Sequence, residues 1–168
     1  DVERSRGLGD VYKRQHRKGA PQLAGVDDNV GQFLTGDKSK SITYYRIETG
    51  MHMGSPTEHQ PRYALSLIKL YIATYVIEHG SFEDKYLALE MIADSSDESA
   101  GKLFEKYPRS IDSIAREYGL TSTKAGKDWG HSKTSTYDVV RFIVQLMEDD
   151  PTHPVLVAMA HALSLIHI

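Results

Sequence analysis

The feature that most constrains this chain is the apolar stretch from Ala64 to Ile77, which polar residues interrupt at only a few positions. A helix that is apolar on nearly every side has no face suited to water, so it is buried inside a domain. The stretch is too short for the roughly 20 apolar residues of a membrane span. It therefore predicts a central core helix around which the other elements pack.

Two polar groups, Ser66 and Lys69, lie near the start of this stretch. Residues three apart share a helix face, so the hydroxyl and the amine can meet. Burial disfavours the charged form of a lysine, and a neutral amine beside a hydroxyl can take its proton. The pair is therefore a candidate nucleophile and base. Taken alone, the tetrapeptide is equally typical of a core helix with a serine near its start and a snorkelling lysine.

The two ends of the chain match translated sequencing adapters. Residues 5–15 read as the translation of a transposon-library adapter, and residues 163–168 as the reverse complement of its mosaic end. Such segments are excluded before a fold is inferred. We therefore expect adapter-derived artefacts at 1–15 and 163–168, and a partial domain, interrupted at both ends, at 16–162.

Composition excludes several classes of function. The net charge of −3 shows no basic excess, and removal of residues 1–15 makes the chain slightly more acidic, which argues against nucleic-acid binding. The absence of cysteine excludes disulfides and thiolate metal sites. His52 and His59 lack the spacing of a metal motif such as His-Glu-x-x-His, so we expect both at the surface. No metal or cofactor is implied.

The pattern of apolar residues and breakers predicts a helix-rich chain with little sheet. A strand is expected over 41–48, with a return strand from Met51. The core helix should end at Gly80, and residues 121–130 should be irregular. Further helices are expected at 82–93, 98–106 and 111–118, then from a capping box at Ser135, and from Pro154 through Met159.

In this helical context, Ser66-x-x-Lys69 resembles the nucleophile motif of the serine β-lactamase and penicillin-binding-protein superfamily. The resemblance covers about 41–162. It implies an α/β (α+β) β-lactamase/transpeptidase-like fold with one antiparallel sheet and a helical domain, present here in part. It also implies that Ser66 attacks the carbonyl of a β-lactam or D-alanyl peptide with Lys69 as base. An extracytoplasmic location and a cell-wall substrate follow from the same resemblance.

The segment 91–103 resembles the superfamily's second motif, Ser-x-Asn. By this resemblance Ser96 takes the serine position and relays a proton to the leaving nitrogen. Glu98 stands at the substrate-binding position where asparagine is expected. An ionised glutamate only accepts hydrogen bonds, whereas an amide also donates them. Either Glu98 points away or catalysis is altered; the alternative for the whole segment is a plain helix N-cap.

The third motif, Lys-Thr-Gly on a strand, is expected beyond Ala162. The tripeptide at 133–135 lacks the glycine, and we expect it to precede a helix rather than lie in a strand. Class A β-lactamases carry a deacylating glutamate in the region of 121–134, where this chain has only the acid Asp128. The resemblance is therefore closer to penicillin-binding peptidases or atypical class-A-like proteins than to a competent β-lactamase, and we expect the chain as given to be inactive.

Two other classes remain open. One is a non-catalytic extracellular binding member of the same fold. The other is a DNA-binding helix-turn-helix, suggested by the spacing of Ala115 and Gly119. The second is disfavoured by the acidic charge and by two glycines where the recognition helix should lie. The oligomeric state is left open.

Overall fold

The computed structural model describes residues 37–166, with side chains through Ala162. Within this range the chain forms six α-helices and two small antiparallel sheets, so the fold is helix-rich and broadly α+β, as the sequence predicts. The adapter prediction for residues 1–15 lies outside the described residues. The helices are α1 (Lys69–His79), α2 (Phe82–Asp94), α3 (Asp97–Lys106), α4 (Ser110–Tyr118), α5 (Thr136–Asp149) and α6 (Pro154–Ile166).

Each sheet has two strands. The first pairs β1 (Thr43–Arg46) with β2 (Met51–Gly54) in the predicted hairpin. The second pairs β3 (Arg62–Tyr63) with β4 (Lys133–Thr134). The prediction that Lys133 and Thr134 lie outside any strand is therefore wrong: two residues suffice for pairing because β3 runs alongside them. This sheet joins the chain just before Ser66 to the chain just before α5.

Helix α1 is the centre of the core, as its apolar sequence predicts. Tyr71, Ile72, Ala73 and Val76 are fully buried, and α1 contacts α2, α3, α4 and α6. The predicted helix does not begin as an α-helix, however. Residues Leu65–Ile68 form a 3-10 turn first, and Leu65 enters this turn with a φ of 49°, outside the helical range.

Most helix ends follow the predicted signals. The Ser135 hydroxyl accepts a hydrogen bond from the Asp138 backbone N–H at 3.1 Å and caps α5. Gly80 ends α1 in an extended conformation rather than the expected left-handed one, whereas Gly119 ends α4 with a φ of 66°. Helix α6 continues past the predicted end at Met159.

His52 contradicts the prediction of a surface residue. It is 3% exposed, and its Nε2 lies 3.0 Å from Oε2 of the buried Glu58. Side chains alternate along a strand, and His52 is on the inward side of β2. A Cβ at Gly54 would lie 1.9 Å from the same carboxylate oxygen, so only glycine leaves room for Glu58. His59, by contrast, is exposed as predicted.

The Asp84 carboxylate joins the start of α2 to the end of α3. It accepts hydrogen bonds from the Ser81 hydroxyl at 2.6 Å, the Lys106 amine at 2.7 Å and the Tyr107 hydroxyl at 2.7 Å. These donors, Lys106 first, hold the pKa of Asp84 well below its usual range. The ionised carboxylate therefore stabilises the packing of α2 on α3.

Asp84→Asn should lower the free energy of unfolding at pH 7 by about 1–3 kcal/mol, the usual effect of losing hydrogen bonds to a buried charge. Because the pKa of Asp84 is lowered on folding, its contribution is present above about pH 4 and is lost as the pH falls below that value. The difference between the two proteins should therefore shrink in acid. Urea unfolding at several pH values measures it.

The control is Glu83→Gln, on the exposed side of the same first turn of α2. It removes an equal charge from an exposed position whose only resolved link to the Asp84 cluster is a weak, solvent-screened attraction to Lys106, so it should change stability by less than about 0.5 kcal/mol. Equal losses for the two variants would show that helix-terminal charge, not the cluster, carries the effect.

Candidate functional site

Lys69 is the centre of the candidate site. Its side chain is 2% exposed, and its Nζ lies 3.3 Å from the Ser66 hydroxyl oxygen. The 3-10 turn presents Ser66 at the surface, and the first turn of α1 places Lys69 beneath it. The structure therefore brings the predicted nucleophile and base into contact.

The junction between α2 and α3 supplies the other partners of Lys69. The Lys69 amine donates to the Ser95 carbonyl at 2.6 Å, and it lies 3.2 Å from the Ser95 hydroxyl. It also contacts the Asp97 carboxylate at 2.5 Å. The Asp97 side chain is largely exposed, whereas the Lys69 side chain is buried, so the ion pair joins a surface carboxylate to a buried amine. Contact with an ionised carboxylate stabilises the ammonium form of a lysine.

The structure does not bring Ser96 or Glu98 to this pair. The Ser96 hydroxyl accepts from the Ser99 backbone N–H at 3.2 Å and caps α3, which is the alternative considered for this segment. Glu98 is exposed and binds Lys102 at 2.6 Å, and this hydrogen bond lowers the pKa of Glu98. The residues that face Lys69 are thus one position earlier in the chain than the sequence prediction placed them.

A capping signal accounts for this shift. In the run of two serines before Asp97, the residue next to the helix is the N-cap and turns its hydroxyl to the helix N–H groups. The preceding serine then has a left-handed backbone, with a φ of 52° at Ser95, which turns its side chain and carbonyl toward Lys69. If the sequence analysis had assigned Ser96 to the N-cap of α3, Ser95 would have been the remaining serine available to face Lys69.

Leu65 and Ser95, which border the pair, are the two non-glycine residues with positive φ in the described part of the chain. A left-handed conformation costs a non-glycine residue about 1–2 kcal/mol, and such residues cluster at functional sites. Leu65 also places Ser66 in the first turn of the 3-10 helix, where backbone N–H groups have no intrahelical acceptor. The Ser66 N–H is therefore suited to stabilise an oxyanion.

Trp129 covers the Lys69 amine from the linker between α4 and α5. The Nζ lies 4.9 Å from the centroid of the indole ring, within the range of a cation–π contact. Trp129 belongs to a 3-10 turn, Trp129–His131, which the Asp128 carboxylate caps. Sequence reasoning missed this residue. Its sequence does offer one signal: Trp129 is the single tryptophan of the chain, and it lies in a loop that contains glycine.

Asp128, the acid of this linker, is turned away from the site. Its carboxylate accepts from the His131 backbone N–H at 3.0 Å and lies 2.8 Å from the His131 ring Nδ1. The His131 side chain lowers the pKa of Asp128. The linker therefore presents an aromatic ring to Lys69, and its acid is occupied by a local cap.

An apolar pocket of about 590 Å³ opens beside the pair. Its walls come from the Leu65–Ile68 turn, α1, α2 and α6. Its hydroxyl and amine groups are those of Ser66, Lys69 and Ser95, on one side. The remaining lining residues are apolar: Ala64, Leu65, Leu67, Leu70, Met91, Ile92, Met159 and Ala162.

A chain of buried hydroxyl groups fixes α1 to the elements behind the site. The Tyr71 hydroxyl lies 3.0 Å from the Thr134 hydroxyl, which lies 2.7 Å from that of Thr123. Thr123 donates to the buried Asp138 carboxylate at 2.7 Å. Burial raises the pKa of Tyr71 to about 12 and also raises the pKa of Asp138. This network holds β4 and α5 against the helix that carries Lys69.

The described residues contain no group of three or more histidine or acidic side chains arranged to hold a metal ion. Over the same residues, no helix combines the length and the hydropathy needed to cross a bilayer. The chemistry that the described part of the site offers is that of a hydroxyl, an amine and a carboxylate beside an apolar pocket.

Comparison of the chain with models of known protein families, with curated proteins and with solved structures finds no match.

Proposed function

We propose that this chain is part of a serine acyltransferase or hydrolase with a β-lactamase/transpeptidase-like fold, in which Ser66 is the nucleophile. The observation that carries the proposal is the buried Lys69 amine, 3.3 Å from the Ser66 hydroxyl and 3.2 Å from the Ser95 hydroxyl at the mouth of a pocket. A nucleophile in hydrogen-bond reach of a base, with a second hydroxyl beside it, is the arrangement that acyl transfer requires.

The proposed reaction has two proton movements. The Ser66 oxygen forms a bond to the substrate carbonyl carbon while the Lys69 amine, in its neutral form, takes the hydroxyl proton. The negative charge on the carbonyl oxygen is stabilised by the Ser66 backbone N–H. The bond from carbon to the leaving nitrogen or oxygen then breaks. The leaving atom receives the proton from Lys69 through the Ser95 hydroxyl.

Asp97, rather than Glu98, is the carboxylate next to Lys69. It pairs with the Lys69 amine at 2.5 Å and so competes with the Ser66 hydroxyl for that amine. An amide at this position would accept from the amine without adding a negative charge. Acylation should therefore be slow with Asp97 in place.

The acyl-enzyme should persist once formed. Its hydrolysis needs a base that activates water, and Trp129 faces Lys69 where the linker approaches the site. The linker's acid, Asp128, is held in its own cap. We accordingly propose substrates of the penicillin-binding kind, β-lactams or D-alanyl peptides, in an extracytoplasmic compartment.

The contact of Asp97 with Lys69 also favours a second candidate function. An ammonium held by a carboxylate is a fixed charge that can bind a partner without transferring a proton. A non-catalytic binding member of the same fold would retain the pocket and lose the reaction. The experiments below separate the two functions.

Ser66→Ala should abolish labelling of the full-length protein that carries this sequence by a fluorescent penicillin, because the acyl group has no other attachment point. Ser95→Ala should reduce the labelling rate by about 10²-fold or more, the usual effect of losing a proton-transfer group. Gel fluorescence and intact mass measure both. Ser96→Ala is the matched control, and it should label at close to the wild-type rate because that hydroxyl only caps α3.

Asp97→Asn should raise the labelling rate, because it removes the carboxylate that pairs with the Lys69 amine and draws it away from the Ser66 hydroxyl. The matched control, Glu98→Gln, should leave the rate unchanged, since Glu98 binds Lys102. Absence of label on both wild type and Asp97→Asn would favour the binding protein.

The penicillin adduct on wild type should remain for hours after free penicillin is removed, as followed by intact mass. Introducing a carboxylate beside the adduct with Trp129→Glu should shorten its lifetime. The control Trp129→Phe keeps a ring without a carboxylate and should leave the lifetime long. An adduct that disappears within minutes on wild type would show that another group activates water.

A further inference from the structure

We infer that the pocket beside Ser66 binds an uncharged alkyl chain, so that the preferred substrates of this site carry an alkyl substituent on the acyl group that is transferred to Ser66. This inference rests on the proposed function, since it identifies the group that the nucleophile carries. It goes beyond that function because neither a β-lactam nor a D-alanyl peptide requires such a chain.

The chemistry of the walls carries the inference. Among the described residues that line the pocket, the side chains other than Ser66, Lys69 and Ser95 are aliphatic or methionine. The polar groups all lie on one side, next to the nucleophile, so a substrate carbonyl there would direct its acyl chain toward the apolar walls. Binding sites usually combine such walls with a few polar groups that fix orientation.

The size of the pocket fits the same class of ligand. Its volume of about 590 Å³ is within the range of about 300–1,000 Å³ for small-molecule sites. Leu65 and Leu67 are 67% and 50% exposed in the 3-10 turn, although both side chains line the pocket. A bound alkyl chain would cover apolar surface that the protein otherwise leaves open to water.

The charges at the site favour an uncharged chain. Lys69 is the one cation among the described lining residues, and it is bound by Asp97, Ser95 and Ser66. A chain that ended in a carboxylate would find no free cationic partner among these described residues. A chain that ended in an amine would find no acid among them. A plain alkyl end leaves no charge unpaired.

Linear alkylboronic acids from methyl to octyl test the inference. The Ser66 oxygen forms a bond to boron, which becomes four-coordinate, and the hydroxyl proton passes to the Lys69 amine. Boron NMR detects the four-coordinate adduct, and calorimetry measures the dissociation constant. Affinity should rise about threefold to fourfold for each added methylene until the pocket is filled.

Met159→Trp should place a larger side chain in the pocket, so the rise in affinity should stop at a shorter chain. The matched control is Met147→Trp, a substitution on α5 at a methionine that does not line the pocket, and it should leave the series unchanged. Because methylboronic acid needs little of the pocket, its affinity should be the same in all three proteins.

The outcomes separate this inference from the proposed function. Boronic acids that bind wild type but not Ser66→Ala, with an affinity independent of chain length, would overturn the alkyl pocket and leave the nucleophile in place. Binding that grows with chain length and persists in Ser66→Ala without a four-coordinate boron signal would overturn the nucleophile. Absence of any binding would overturn both.

Discussion

The buried amine of Lys69 is the interaction on which the site and much of the fold depend. A lysine that is 2% exposed must have partners, because removing a charge from water costs several kcal/mol unless polar groups replace the water. Those partners come from three separate places: Ser66 before α1, the junction of α2 and α3, and the aromatic ring of Trp129. Satisfying one amine therefore fixes three segments relative to one another.

The apolar core is built around the same helix. Tyr71 and Phe142 pack edge to face at 4.9 Å, and Tyr118 packs against the same phenyl ring, so α1, α4 and α5 meet at one point. Two polar connections surround this core: the Asp84 cluster between α2 and α3, and the hydroxyl network that ends at Asp138. Both connections hold neighbouring elements together, whereas the buried amine of Lys69 also borders an open pocket.

The sequence was sufficient to predict the features that depend on neighbouring residues in the chain. The apolar stretch predicted α1, capping residues predicted the start of α5, and a three-residue spacing predicted the contact of Ser66 with Lys69.

The sequence was insufficient for features that depend on a partner distant in sequence. The inward side of β2 buries His52 because Glu58 folds beneath it, and β4 exists because β3 runs beside it. The choice between Ser95 and Ser96 depended on which hydroxyl the α3 N-terminus would use. The place of Trp129 depended on how the linker packs against the Leu65–Ile68 turn and α3.

The left-handed residues Leu65 and Ser95 have a consequence for how this protein can change over generations. Glycine is the residue best suited to that backbone, and a single substitution to glycine would relieve the steric strain at either position. Glycine at position 65 would free the backbone that positions Ser66, and glycine at position 95 would also remove the hydroxyl that lies 3.2 Å from the Lys69 amine. A population selected for folding alone would accept glycine there, whereas one selected for reaction at Ser66 would reject it. The two strained residues thus mark where folding and reactivity make opposite demands on the same chain.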